Sequence, residues 1–165
     1  MEHRPTVTVH AIPHATGWAR ESLIREWGSM LVARRGELVD AATLPALVAS
    51  VDGRHTGLLT YSAVERDWEI VSIHTEVHRV GVGSALLGAI ENLAEIAGAQ
   101  RVWLVTTNDN TGALRLYQRA GYNLVTLHRD AVTQARAALK PEIPLEIDGI
   151  ELRHELELER RLHRA

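Results

Sequence analysis

Apolar and polar residues alternate over the first part of the chain and recur every three or four positions in its middle. That pattern predicts strands first, then helices interleaved with strands. Val7, Val9 and Ala11 alternate with polar neighbours over Thr6 to Ile12, a first strand ended by Pro13. A short helix is predicted over Gly17 to Trp27, capped by Thr16, with Trp18, Leu23, Ile24 and Trp27 near one face and Gly28 at its end. Met30 to Ala33 and Glu37 to Val39 are short strands around Arg34-Arg35-Gly36. Leu44 to Val51 is apolar but holds Pro45, which leaves an edge strand, a strand start, or a helix with proline in its first turn. Asp52-Gly53 predicts a turn with Leu58 to Val64 as the returning strand. Arg66-Asp67 is a second break, and Trp68 to Thr75 follows as a strand with Ile70 and Ile73 on opposite faces.

Val82 to Ala97 carries Leu86, Leu87, Ile90, Leu93, Ala94 and Ala97 at helical spacing, with Gly98 as its stop. Arg101 to Thr106 reads as a buried strand, Thr107 to Asn110 as a polar loop, Thr111 to Ala120 as a helix stopped by Gly121, and Tyr122 to His128 as another strand. Asp130 caps a helix to Leu139, which Pro141 and Pro144 break. Glu151 to Arg161 alternates Glu and Leu, which favours a half-buried final strand, although Leu152, Leu156 and Leu162 also fit a helix. This order predicts a mixed α/β sheet with helices on both faces.

The chain has 165 residues, the length of one ordinary domain spanning 1–165 with a core that needs no staples. A net charge of −3 gives no reason to expect nucleic acid as a partner. The absence of cysteine removes disulfides, thiolate zinc sites and a cysteine nucleophile. MEHRPTVTVH has no apolar run of the kind a signal peptide needs, and no stretch approaches a membrane span, so a cytoplasmic protein without membrane contact is expected.

The candidate chemistry lies in His78-Arg79-Val80-Gly81-Val82-Gly83-Ser84, between a predicted strand and a predicted helix. Two glycines let the backbone turn tightly. The first helical turn leaves amide donors without intrahelical partners at the positive end of the dipole, a site for an anion such as the pyrophosphate of a cofactor. His74 and His78 stand four apart across a strand–loop junction, and no H-E-x-x-H occurs, so no metal is expected. Trp18, Trp27 and Trp68 are read as core residues in preference to the lining of an acceptor pocket.

Two blocks, WEIVSIHTEVHRVGVGSALL and VWLVTTNDNTGALRLYQRAGY, together resemble the GNAT N-acetyltransferase family. The first is similar to that family's strand followed by (Gln/Arg)-x-x-Gly-x-(Gly/Ala), with His78 where the family has Gln or Arg. The second is similar to its Asn-x-x-Ala-x-x-Leu-Tyr helix and aromatic–Gly–aromatic corner, here Asn110, Ala113, Leu116, Tyr117, Gly121 and Tyr122. The resemblance implies a central, mostly antiparallel sheet and transfer of an acetyl group from acetyl-CoA to a primary amine of a small molecule, peptide or protein by direct attack in a ternary complex. The alternative is a non-catalytic acyl-CoA-binding module of the same fold.

On that resemblance, Gly81 to Ser84 would hold the pyrophosphate, with His78 or Arg79 reaching phosphate. Val71 to Thr75, including Ile73, would run beside the pantetheine arm, and an amide near Ile73 would face the thioester carbonyl. Tyr117 would be the general acid. Asn110 would contact the cofactor arm or serve as a helix cap. Glu69 would be the base, with Glu76, His74 or a water chain as alternatives; strand alternation puts Glu69, Val71 and Ile73 on one face. The alternating final strand also leaves room for a homodimer paired through it.

Overall fold

In the computed structural model, which describes residues 4–163, a seven-stranded sheet runs in the order β1-β4-β5-β6-β7-β11-β8. The first three residues of the MEHRPTVTVH stretch lie outside the described part. The sheet strands are β1 (Val7–Ile12), β4 (Ala46–Val51), β5 (Arg54–Val64), β6 (Asp67–Thr75), β7 (Arg101–Thr107), β8 (Asn123–His128) and β11 (Glu155–Arg161). Two small hairpins stand apart from it, β2 (Leu31–Arg34) with β3 (Glu37–Asp40), and β9 (Glu146–Ile147) with β10 (Ile150–Glu151). The helices are α1 (Trp18–Trp27), α2 (Val82–Ile96), α3 (Thr111–Arg119) and α4 (Ala131–Ala138).

Within the sheet β6 and β7 pair in parallel, across the α2 crossover, and the other neighbouring pairs are antiparallel. Alternate residues of β4 divide between two apolar clusters, one on each face. Leu47 and Ala49 join Leu86, Leu87 and Ile90 of α2 and Tyr117 of α3, while Ala46 and Val48 join Ala19 and Leu23 of α1. The turns follow from local sequence: Arg35-Gly36 and Asp52-Gly53 both take positive φ at both positions, the geometry that closes a two-residue hairpin.

Several expectations are corrected. Pro45 precedes β4, which lies between β1 and β5, so it is a strand start and neither an edge nor a helix. Gly17, not Thr16, caps α1, and the helix buries Ala19, Ser22 and Leu23 while Ile24 and Trp27 are exposed. Asp130 sits at the start of α4 in a left-handed conformation without a side-chain cap; its carboxylate is held by Arg153 instead. The final strand is covered on both faces, with Glu155 and Glu157 buried on one side and Leu158 on the other. It also lies between β7 and β8, so it has no free edge through which a dimer would pair.

The largest departure is in β6. Thr60 stands opposite Ser72 and Tyr61 opposite Ile70, so Val71 is an extra residue with no partner on β5. A one-residue bulge inverts the alternation beyond it. Ile70 and Ile73 therefore share the face of Leu59 and Tyr61 in the α2-side cluster. Glu69 shares the opposite face with Ser72, not with Ile73.

Candidate active site

The pairing of β6 with β7 stops at Ile70 and Leu104. Beyond that point β6 stays with β5 and β7 stays with β11, so the two parallel strands splay. A cleft of about 120 Å³ opens between them, lined by Val71 and Ile73 of β6, Val105 and Thr106 of β7, and Asn110 and Tyr117 from the segment after β7. Val71 has no partner in the register of either neighbouring strand.

At the end of β6 the chain enters the glycine-containing loop. The Glu76 amide donates to the Thr56 carbonyl at 2.7 Å, which fixes the start of the turn. Arg79 and Gly81 take positive φ, 64° and 83°. Val82 is buried and Val80 packs against the same cluster, so the apolar side of the loop is anchored. The first bond of α2 runs from the Ala85 amide to the Gly81 carbonyl at 2.9 Å. The amides of Val82, Gly83 and Ser84 precede it and have no acceptor among the described residues. A Cβ at Gly81 would meet nothing within 4 Å, whereas one at Gly83 would stand 2.9 Å from Cδ2 of Leu116. The first glycine thus serves the backbone turn, and the second lets α2 approach α3. His78, Arg79 and Ser84 are exposed, Thr75 is half-buried, and the His78 and Arg79 side chains are near the open amides in sequence.

Tyr117 is 5% exposed and belongs to both the α2-side cluster and the cleft wall. Burial pushes its phenol well above the ordinary tyrosine range, so it remains protonated at neutral pH. Asn110 caps α3 by accepting from the Ala113 amide at 3.4 Å and lines the cleft as well, so its two expected roles are compatible in space.

The carboxylates divide differently from the expectation. Both oxygens of Glu69 receive the fork of Arg34, Nε at 2.7 Å and Nη2 at 2.8 Å, and Arg34 also reaches Glu37. Burial pushes the Glu69 carboxyl up, against the pull of Arg34. Glu76 is tied to Arg25 on α1. His74 is buried with Nε2 2.5 Å from Ser22 Oγ, and burial lowers its pKa. Neither Glu76 nor His74 lines the cleft.

Two charged residues that the sequence did not point to, Arg34 and Glu155, also line the cleft. Trp27 was expected in the core and instead stands 39% exposed at the cleft. Trp18 is half-buried against the α1-side cluster and Trp68 stacks on Tyr61 at 5.5 Å, as core readings require. Glu155 is 3% exposed and accepts from the Arg35 amide at 3.1 Å. A signal for it existed in the Glu–Leu alternation of the final strand, which puts Glu155, Glu157 and Glu159 on one face.

A sheet split between two parallel strands, beside a helix turned in by glycine and a buried phenol, defines an α/β protein organised around a strand-splay cleft. The chain matches the Acetyltransferase (GNAT) family over residues 12–122, and it belongs to that family. It is 36% identical over 134 residues to the uncharacterized protein YdhI of Bacillus subtilis, covering 80% of this chain and 83% of that one. It is also 36% identical over 140 residues to YxbD of the same organism, covering 84% and 87%. Among solved structures, the IAA acetyltransferase from Bacillus cereus superposes with a TM-score of 0.71 at 21% identity, over 95% of this chain and all 100% of that one. A GNAT family acetyltransferase from Elizabethkingia anophelis with acetyl-CoA bound gives 0.70 at 18%, over 94% and 98%. The family read from the two sequence blocks and the mixed, mostly antiparallel sheet are both borne out.

Proposed function

We propose that this protein is an N-acetyltransferase that moves an acetyl group from acetyl-CoA to a primary amine by direct attack while both are bound. The observation that carries the reading is the splayed β6–β7 cleft, with the open amides of α2 beyond one strand end and Tyr117 on its wall. Family membership supplies the class of transfer.

The bound cosubstrate supplies a thioester. The amides of Val82, Gly83 and Ser84 suit its diphosphate, helped by the dipole of a 15-residue helix. The Arg79 guanidinium or the His78 ring reaches phosphate from the exposed loop. Val71 to Thr75, with Ile73 in the cleft, offers backbone to the pantetheine arm, and the bulge at Val71 leaves backbone outside both ladders near the reacting carbonyl. A preorganised amide there stabilises the oxygen that gains charge. Tyr117, on the cleft wall and protonated at neutral pH, donates a proton to the leaving sulfur. Glu69, with both oxygens on Arg34, fits a role in holding the β2–β3 hairpin better than one as base, so the proton of the attacking amine leaves through a water chain.

Thiol release from acetyl-CoA over a panel of amines tests this. Tyr117→Phe is expected to lower kcat by about 100-fold or more while acetyl-CoA still raises Tm as in the wild type. Acetyl-CoA binding with no turnover of any amine, and no effect of Tyr117→Phe, overturns the catalytic reading in favour of a binding module.

A further inference from the structure

The cleft continues into a larger cavity of about 730 Å³, the size of a small-molecule site. Trp27, Leu31 and Val32 form one wall. Val132 of α4, with Ile143 and Ile147 from the segment after it, form the other. The cavity and the cleft share Asn110 and Glu155 among their lining residues, so the two adjoin.

The charges along the cavity are unequal. Glu26, Asp109, Glu142 and Glu155 line it, against Lys140, whose Nζ already donates to the Leu31 carbonyl at 2.8 Å. Glu155 is the buried one, and it differs from Glu69. Glu69 is saturated by a guanidinium, whereas Glu155 accepts from a backbone amide and has no side-chain ion pair among the described residues. Its neighbour in register, His128, turns to Glu157 at 3.2 Å. Burial pushes the Glu155 carboxyl up, opposed by the Arg35 amide and by the charges of His128, Arg34 and Arg35. A buried carboxylate without a side-chain ion pair among the described residues, lining both an apolar cavity and the cleft, suits an ammonium group.

We propose that this cavity is the acceptor site, that its acceptor is a small primary amine with an apolar body and no carboxylate, and that Glu155 receives the ammonium. The assignment rests on the N-acetyltransferase reading. The apolar walls take the body of the amine. An acceptor carboxylate is disfavoured, because it would enter among four acidic side chains with one lysine to meet it.

Phenethylamine and hexylamine are compared with phenylalanine and a short peptide bearing an N-terminal phenylalanine, in wild type, Glu155→Gln and Leu31→Lys. Leu31→Lys puts a cation at the cavity mouth, at a position already 40% exposed, and keeps the test open should Glu155→Gln fail to fold. The two amines are expected to be the better substrates, and both variants to raise their KM about tenfold or more. The same loss is expected in amine binding measured calorimetrically without cosubstrate, with the Tm shift by acetyl-CoA unchanged. Acetyl-CoA binding together with equal or better use of phenylalanine or the peptide overturns the amine class alone. Unchanged amine KM and affinity in Glu155→Gln overturns the role of Glu155, and unchanged values in Leu31→Lys overturn the cavity as the acceptor site. Amine binding without any acetyl-CoA binding overturns the acyl-transfer reading, and the acceptor role with it.

Discussion

Gly81 and Gly83 stand two residues apart and do different work. Gly81 holds φ at 83° in open space, so a Cβ there meets no neighbour but strains the backbone. Gly83 has a crowded neighbour, and its Cβ would be met by the flexible end of Leu116. Gly81→Ala is therefore expected to lower stability by about 1–2 kcal/mol, the cost of a left-handed non-glycine residue. It should also weaken acetyl-CoA binding, because relief of the strain re-aims the amides of Val82 to Ser84. Calorimetric affinity and Tm, measured together, check this; an unchanged affinity would separate the turn from the diphosphate.

Strand β6 shows how far a pattern of side chains carries. Its existence, its length to within a residue and its place before α2 were legible, because Trp68 to Thr75 is rich in β-formers and bounded by a turn and a glycine loop. Its faces were not. A bulge at Val71 leaves no mark in residue type, and one extra residue moves every later side chain to the other face. Glu69 was thereby grouped with Ile73, and its partner Arg34 arrives from a hairpin whose docking no local pattern encodes. The glycine loop, Asn110 and Tyr117 were legible because each lies within a contiguous block. The cavity walls come from α1, α4 and the segment after α4, which are brought together only by the folded sheet. Glu69→Ala is expected to lower stability by about 3–5 kcal/mol by leaving the Arg34 guanidinium without its main partner. Urea unfolding measures this, and acetyl-CoA binding by the folded fraction should persist.

Across the molecule the sheet is held together by a strand far along the chain. β11 pairs with β7 from Glu155–Thr107 to Arg161–Arg101 and with β8 on its other side, and Leu158 is fully buried between them in the α2-side cluster. Leu158→Ala is expected to cost about 2–5 kcal/mol, as for other buried leucines, which a shift of the urea midpoint at unchanged slope would register. The same strand carries Glu155 to where the cavity adjoins the cleft, so the half of the sheet that closes the core also completes the proposed amine site.

That interposition sets an order of events during synthesis. The ribosome delivers β7 and β8 before the strand that separates them, and until β11 emerges both keep raw backbone edges. An incomplete nascent chain is thus exposed to rival pairing, with itself or with other chains, and its yield in the cell should depend on holdase chaperones until the missing strand threads into the gap.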